Sequence, residues 1–337
     1  MLEKPDFPDT QILDFLLAEY ALQAVQFDFL PLGADQNTAV YRLHSSTQAV
    51  YFVKLRRGNF EEIAVTLPEY MHAQGIREII APLPAQKGKL WGKLGAFKVI
   101  LYPFVEGTNG YEARLSESQW IRFGKALKAI HTLRVPEAIR GQIQRETYPP
   151  AARQSVRKIL EKIEHGAFED PIAAQAAAFL QSNASVILDL LMRADSLAAV
   201  LQTCSEEFIV CHSDLHAGNL LVDADDNLYI VDWDNPILAL KERDLMFVGG
   251  AQFGADRTPQ EEQALFYGSY GPIQLNPTAL AYYRYERILQ DIAEFGEQLL
   301  FTNEGGADRL QSLSYLKSNF DPNNVIEIAY ASDKTRG

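Results

Sequence analysis

The sequence is poor in cysteine and contains no long apolar run. Its two cysteines, Cys204 and Cys211, are too few for a disulfide scaffold and are typical of a protein from a reducing compartment. No uninterrupted apolar stretch reaches about 18 residues, the length that a membrane-spanning helix requires. The N-terminal residues also lack the positive region and apolar core of a signal peptide. These absences predict a soluble, cytoplasmic protein with no membrane partner.

The sequence also has no stripe of five or more Lys and Arg residues, and the formal net charge is −13. Binding to a nucleic acid backbone requires a stripe of Lys and Arg side chains, so we expect no nucleic acid partner. Acidity of this kind usually indicates only a soluble surface. The alternative interpretation is a pocket that binds a small cationic ligand.

The hydrophobic pattern changes part-way along the chain. The stretch "DTQILDFLLAEYAL", with Asp9 as a possible cap, has apolar residues at helical spacing and predicts an N-terminal helix. From there to about residue 104, short apolar stretches with a period of two, such as "AVYRL" and "AVYFVKL", predict about five strands, interrupted by one helix at 60–74. From Ser116 onward helical spacing dominates, and Ser-x-x-Gln predicts a capping box at the start of one helix. Further helices are expected at 151–164, 171–202, 276–301 and 306–319.

The length of the chain also bears on its organisation. Because 337 residues exceed the usual size of one domain, two lobes are expected. The change of pattern predicts an α+β fold, with a β-rich N-terminal lobe over residues 1–104 and a mostly helical C-terminal lobe over residues 105–337.

One acidic segment, "CHSDLHAGNLLVDADDNLYIVDWD" at 211–234, combines histidines with several aspartates. Calcium binding is not expected, because an EF-hand loop needs Gly at its sixth position and Glu at its twelfth. Zinc binding is not expected either, because Cys211, His212 and His216 lack a second pair of ligands at suitable spacing. The stretches "NLLV" and "LYIVD" predict a β-ribbon with "DADDN" as its turn.

The other polar residues of this segment have the spacing of kinase chemistry. Asp214 precedes Asn219 by five residues, and Asp232 follows at the end of an apolar stretch. At this spacing Asp214 can act as the base for a substrate hydroxyl, while Asn219 and Asp232 can bind Mg²⁺ against nucleotide phosphates. A kinase also needs a lysine on a strand near the phosphates, and Lys54 fits that role. The N-terminal lobe is thus expected to bind the nucleotide, and the C-terminal lobe to carry the catalytic and acceptor residues.

Further residues of the N-terminal lobe complete the predicted nucleotide site. Glu62, near the start of the helix after Lys54, is expected to orient that lysine, although a first-turn acid favoured by the helix dipole is an alternative. Pro103 and Val105 lie in the expected connection between the lobes, where backbone groups meet adenine. The loop "GADQNT" has no G-x-G-x-x-G motif, so its part in phosphate binding is weaker. Its candidate nucleotide contacts are Gly33, Asn37 and Thr38.

The segment "YYRYERILQDIAEFGEQLL" at 282–300 combines aromatic rings with carboxylates. Many of its charges could form pairs within one helix at i,i+4 spacing, such as Arg287 with Asp291. An acceptor that carries protonated amines would also need carboxylates and rings. The candidate acceptor contacts are Asp214, Asp234, Tyr283, Glu286 and Asp291.

The motifs "HSDLHAGN" and "IVDWD" resemble the signatures of the aminoglycoside phosphotransferase family, antibiotic kinases with a protein-kinase-like fold. Similar segments extend along nearly the whole chain. The family usually has Gly in place of Ser213 and often Pro in place of Ala217, and neither difference removes a chemical group. The resemblance implies a bilobal kinase-like fold, ATP or GTP as donor, Mg²⁺ as cofactor and a small cationic aminocyclitol as acceptor. It also implies that His212 and Asp244 support the catalytic loop.

Two alternatives stay open at this point. The catalytic core does not distinguish an antibiotic kinase from a metabolic kinase for choline, homoserine or an amino sugar. The other alternative is a pseudokinase that binds a nucleotide and acts through partners. The presence of Lys54, Asp214, Asn219 and Asp232 together argues against a pseudokinase, because a non-catalytic module has no need of all four groups. We expect a monomer.

Overall fold

The structure is a computed structural model and describes residues 4–32, 37–254, 256–302 and 306–334. Its strands are β1 (Ala24–Leu30), β2 (Thr38–Ser45), β3 (Val50–Arg57), β4 (Gly92–Leu94), β5 (Phe97–Pro103), β6 (Gly107–Asn109), β7 (Gln144–Arg145), β8 (Ile209–Cys211), β9 (Leu220–Asp223), β10 (Leu228–Ile230) and β11 (Ile237–Ala239). Its helices are α1 (Asp9–Tyr20), α2 (Ile63–Ala73), α3 (Gly110–Ala113), α4 (Glu117–His131), α5 (Glu137–Arg140), α6 (Ala151–His165), α7 (Pro171–Ser182), α8 (Ala184–Leu201), α9 (Glu242–Leu245), α10 (Pro259–Tyr270), α11 (Pro277–Phe301), α12 (Gly306–Ser318) and α13 (Val325–Lys334). Within these described ranges, no helix combines the length and the apolar character needed to cross a membrane.

The chain forms two units. The first comprises Met1–Ile143 and Ala217–Pro236, and the second comprises Gln144–His216 and Ile237–Gly337. The expected boundary after residue 104 therefore lies inside the first unit. The reason is that β6, just after this boundary, pairs with β9 and so groups with the strands of the first unit. A β-rich first unit and a mostly helical second unit confirm the predicted α+β fold class.

An antiparallel sheet of five strands, in the order β1-β2-β3-β5-β4, forms the centre of the first unit. It contains the five strands expected before residue 105, and α2 corresponds to the helix expected at 60–74. Val53 and Leu55 of β3 are fully buried in the core between this sheet and α1. Because side chains alternate along a strand, Lys54 between them lies on the other face of the sheet.

The predicted ribbon is formed by β9 and β10, and β6 adds a third strand to it. At its turn, Asp223 Oδ1 accepts a hydrogen bond from the backbone N–H of Asn227 at 2.8 Å. Gln119 of α4 closes the predicted capping box and also donates from Nε2 to Asp226 Oδ1 at 2.6 Å. The turn is thus attached to α4, which fixes the ribbon that begins directly after Asn219.

The second unit is arranged around α11, a helix of 25 residues that packs against α6, α7, α8, α9, α12 and α13. Asn276 caps its start by accepting hydrogen bonds from two backbone N–H groups of the first turn. The single helix expected at 171–202 is wrong, since α7 and α8 are separate. Asn183 lies between them, and its Nδ2 binds the carbonyl oxygen of Phe179 at 2.9 Å, a side-chain contact that competes with helix continuation.

Candidate active site

Lys54 lies on the central strand β3, and its ammonium contacts two aspartates of the same unit. Its Nζ is 2.9 Å from Oδ1 of Asp232 and 2.8 Å from Oδ1 of Asp234. Burial acts to lower the pKa of Lys54, but the charges of the two aspartates outweigh it and raise the pKa. The ammonium is therefore charged, and it is attached to the segment that follows β10.

Arg56 lies two residues further along β3, on the same face of the sheet as Lys54. It forms an ion pair with Asp234, whose side chain is 14% exposed, while that of Arg56 is 13% exposed. Asp234, a predicted acceptor contact, thus binds two cations of the sheet. We call the four residues the Lys54 network: Lys54, Arg56, Asp232 and Asp234.

Glu62, the predicted partner of Lys54, has a different contact. It precedes α2 and accepts a hydrogen bond from Trp91 Nε1 at 3.3 Å. Across the described ranges, the ion pairs of Lys54 are those with Asp232 and Asp234, so the expected Lys54–Glu62 pair is not formed. The sequence neighbourhood of Lys54 indicated a nearby carboxylate, whereas the contacts come from a segment far away along the chain.

Asn219 and Asp232, the two predicted metal ligands, both belong to the first unit. Asn219 is buried, and its carbonyl oxygen accepts a hydrogen bond from Val231 N at 3.0 Å, directly before Asp232. Asp232 has a left-handed φ of 66°, which is uncommon for a residue other than glycine. An amide oxygen and a carboxylate are hard donors of the kind that Mg²⁺ prefers, and this ion keeps several waters. The donor set therefore fits a magnesium ion.

Of the other predicted nucleotide contacts, the structure describes Asn37, Thr38, Pro103 and Val105. Gly33 lies outside the described residues. Asn37 and Thr38 lie at the start of β2, which pairs with β3. Pro103 is the exposed last residue of β5, and Val105, two residues further along the chain, is partly exposed. These residues border the sheet that carries Lys54, and their contact with a nucleotide stays a prediction.

Asp214, the predicted base, lies in the second unit, in the loop that follows β8. Nη1 of Arg287 in α11 is 2.5 Å from its Oδ1, and Nε2 of His216 is 3.6 Å from its Oδ2. Burial acts to raise the pKa of Asp214, but Arg287 and the neighbouring histidines outweigh it and hold the pKa well below its usual range. The carboxylate is therefore ionised at neutral pH and can accept a hydrogen bond from a hydroxyl.

The loop around Asp214 is attached to α9 through Asp244, which is fully buried. The carboxylate of Asp244 accepts hydrogen bonds from the backbone N–H of His212 at 2.9 Å and of Ser213 at 2.7 Å. The imidazole Nδ1 of His212 lies 3.3 Å from the backbone N of Asp214. Ser213 has a left-handed φ of 75°, the conformation that glycine adopts most easily.

The predicted acceptor contacts of α11 differ in their surroundings. Tyr283 is fully buried and packs against Tyr148, with ring centroids 6.3 Å apart. Glu286 is buried and forms an ion pair with Arg153 at 2.7 Å. Both therefore have packing partners inside the second unit. Asp291 is different, because it forms the expected i,i+4 pair with the same arginine that binds Asp214.

Comparison with known proteins agrees with the chemistry of these residues. The model of the phosphotransferase enzyme family matches residues 28–269. The chain belongs to this family. The predicted membership of the aminoglycoside phosphotransferase family is confirmed, and the protein is a phosphotransferase.

The solved structures similar to this phosphotransferase include two of spectinomycin phosphotransferase and one of a choline kinase. A spectinomycin phosphotransferase in complex with ADP and spectinomycin is 38% identical, with a TM-score of 0.89 over 98% of this chain and 99% of that chain. An AMP-bound complex of spectinomycin phosphotransferase is also 38% identical, with a TM-score of 0.85 over 96% and 98% of the two chains. A choline kinase from Streptococcus pneumoniae is 13% identical, with a TM-score of 0.55 over 92% and 98%. The predicted kinase-like fold is confirmed.

Arg56 and Arg287 were not identified from the sequence as site residues of this phosphotransferase. Arg56 could have been found, because residues i and i+2 of a strand share a face and Lys54 was already assigned to that strand. Arg287 was expected only as a partner of Asp291 within one helix. Its contact with Asp214 joins residues 73 positions apart, and no local pattern indicates such a contact.

Proposed function

We propose that this phosphotransferase transfers the γ-phosphoryl group of ATP or GTP to a hydroxyl of the aminocyclitol antibiotic spectinomycin. The observation that carries the proposal is the 38% identity with a spectinomycin phosphotransferase, which extends over 98% of this chain. The similarity to a choline kinase, at 13% identity, concerns the fold alone. We therefore prefer an antibiotic acceptor to choline.

In the proposed reaction, Asp214 acts on the acceptor. Its ionised carboxylate accepts a hydrogen bond from the acceptor hydroxyl and directs the oxygen toward the γ-phosphorus. As the new oxygen–phosphorus bond forms, the hydroxyl proton moves to Asp214. The bond between the γ-phosphorus and its bridging oxygen breaks, and the nucleoside diphosphate leaves with that oxygen.

Lys54 acts on the nucleotide in this proposal. Its ammonium would bind the α- and β-phosphates, a role open to a charged lysine on the central strand of the sheet. Asn219 and Asp232 would hold Mg²⁺, which supplies positive charge against the phosphate oxygens when it is bound. Because Asp232 also binds Lys54, the carboxylate that would hold the metal also orients the lysine.

An acceptor screen tests the proposed function. Purified protein with Mg²⁺ and ATP, or Mg²⁺ and GTP, is offered spectinomycin, kanamycin or choline, and nucleoside diphosphate release is followed by a coupled assay. We expect release with spectinomycin, and mass spectrometry should find the phosphorylated antibiotic. Expression in a susceptible bacterium should raise tolerance to spectinomycin and leave tolerance to kanamycin nearly unchanged. Turnover of choline or kanamycin without turnover of spectinomycin would refute the acceptor assignment and leave the kinase mechanism intact.

A second experiment tests the metal ligands. Asp232→Ala should abolish the part of ATP or GTP affinity that depends on Mg²⁺, because only the side-chain amide of Asn219 would be left to hold the ion. Isothermal calorimetry with nucleotide, in the presence of Mg²⁺ and in the presence of EDTA, measures that part. An unchanged Mg²⁺-dependent affinity in the variant contradicts the role of Asp232.

A further inference from the structure

Arg287 contacts two carboxylates at once. Its Nη1 lies 2.5 Å from Oδ1 of Asp214, and its Nε lies 3.1 Å from Oδ1 of Asp291, one turn later in α11. The guanidinium also lies over the ring of Phe247, with Cζ 5.8 Å from the ring centroid. Contacts on several sides restrain a side chain that has many rotamers in solution.

The location of Arg287 makes it a fixed anchor for a loop residue. It belongs to the long central helix of the second unit, and its side chain is only 25% exposed. Asp214 lies in a loop, directly after Ser213 with its left-handed backbone, and its side chain is 41% exposed. A helix packed on many sides thus holds the carboxylate through a charge-assisted hydrogen bond, which is stronger than a bond between neutral groups.

We propose that Arg287 is a positioning residue for Asp214: it holds Oδ1 and so orients Oδ2 for the acceptor hydroxyl, while Asp291 keeps the guanidinium in place. This inference rests on the proposed transfer to a hydroxyl. It also bears on the class of acceptor, because Asp214 and Asp291 carry one negative charge more than Arg287 balances. An acceptor with a protonated amine near the reacting hydroxyl complements that excess charge.

An arginine beside a base has two opposing effects. It orients the carboxylate. Together with His216 and His212 it also lowers the pKa of Asp214, against the effect of burial. The negative charge of Asp291 partly balances the positive charge of the guanidinium. Phosphoryl transfer has a loose transition state, in which positioning contributes more than basicity. Loss of Arg287 should therefore slow the reaction, even though it makes Asp214 a stronger base.

A double-mutant cycle separates positioning from a general structural role. We expect Arg287→Gln to lower kcat about 10- to 100-fold, as for the loss of one charge-assisted hydrogen bond, with unchanged affinity for nucleotide. Arg287→Lys should recover part of the loss. In an Asp214→Asn background, Arg287→Gln should have little further effect, because its target is already altered. The matched control is Arg157→Gln, which removes an exposed ion pair between Arg157 of α6 and Asp195 of α8 and should leave kcat unchanged.

Separate measurements test the proposed function and the positioning role of Arg287. Turnover of spectinomycin by the wild-type enzyme tests the proposed function alone, and the cycle then uses whichever acceptor the wild-type enzyme phosphorylates. An undiminished kcat in Arg287→Gln, or an equal loss in both backgrounds, overturns the positioning role. If Arg287→Gln does not fold, Asp291→Asn replaces it, since this variant keeps the arginine and removes its second anchor. An unchanged kcat in Asp291→Asn then overturns the inference, and a loss that disappears in the Asp214→Asn background supports it.

Discussion

Lys54 and Asp234 form an ion pair between residues 180 positions apart in the sequence, with Nζ 2.8 Å from Oδ1. Asp234 binds Arg56 as well, so one carboxylate serves two cations of β3. All three side chains are largely buried. In the proposed function, these two cations would also bind nucleotide phosphates, so Asp234 and a bound nucleotide would supply the same counter-charge.

Asp234→Ala should lower the melting temperature of the protein alone and increase the stabilisation that nucleotide provides. Removing one partner of a fully buried ion pair costs about 3–5 kcal/mol, and a somewhat smaller loss is expected for these partly exposed side chains. Added nucleotide should restore part of that loss, because its phosphates replace the missing carboxylate. Thermal unfolding with and without Mg²⁺ and ATP measures both effects. Asp225→Ala, an exposed aspartate of the ribbon turn, is the control, and a wild-type melting temperature in Asp234→Ala would argue against the counter-charge role.

Asp214→Asn should lose turnover and keep nucleotide affinity. The side chain is assigned to the acceptor hydroxyl, and removal of a general base typically lowers the rate about 10²- to 10⁴-fold. Coupled nucleoside diphosphate release measures turnover, and calorimetry measures the affinity for nucleotide. Near-normal turnover in the variant would remove Asp214 from the role of base. A parallel loss of nucleotide affinity would instead indicate a general defect of the fold.

Local patterns predicted the elements of the first unit well. Alternating apolar residues gave the five strands, and the Ser-x-x-Gln motif gave the capping box at the start of α4. The spacing of apolar and turn residues likewise gave the β9–β10 ribbon. These features depend on residues within a few positions of each other, and such short-range preferences can be read directly from the sequence.

Contacts between distant residues could not be predicted in this way. Lys54 pairs with Asp232 and Asp234 rather than with the nearby Glu62, because the fold brings the segment after β10 to the face of β3. The same limit applies to Arg287 and Asp214, whose contact depends on how the loop after β8 meets α11. The break between α7 and α8 at Asn183 could not be predicted either, because the pattern of apolar residues fits both a continuous helix and two separate helices.

Glu262 should make stability fall as the pH rises from about 4.5 to about 7. It is buried in α10, and its Oε2 accepts a hydrogen bond from Gly249 N at 2.8 Å. Burial raises its pKa to about 7, although the Gly249 N–H and two arginines act in the opposite direction. The folded protein therefore binds a proton more tightly than the unfolded chain does. The stabilising effect is full below the ordinary pKa of about 4.5 and is lost as the pH passes about 7.

The variant Glu262→Gln tests this dependence. The glutamine keeps a hydrogen-bond acceptor for Gly249 and cannot titrate. In this variant the free energy of unfolding should therefore depend less steeply on pH than in the wild-type protein. Denaturant titrations from about pH 5 to about pH 8 measure the slope, which for one group is at most about 1.4 kcal/mol per pH unit. Glu297→Gln, an exposed glutamate of α11, is the control. Equal slopes in wild type and Glu262→Gln would refute the prediction.

The KM of the acceptor should rise with salt concentration if the acceptor is cationic. The carboxylates of Asp214 and Asp291 carry one more unit of charge than the guanidinium of Arg287 balances. The attraction between this cluster and a protonated amine weakens as salt screens it. The screening length is about 8 Å at physiological ionic strength and about 3 Å at 1 M. Initial rates with spectinomycin at saturating Mg²⁺ and nucleotide, measured over a range of NaCl concentrations, give the dependence. Asp291→Asn removes the excess negative charge, so its KM for spectinomycin should be higher at low salt and nearly independent of salt. A wild-type KM that stays constant across the range would show that charge attraction does not contribute to acceptor binding.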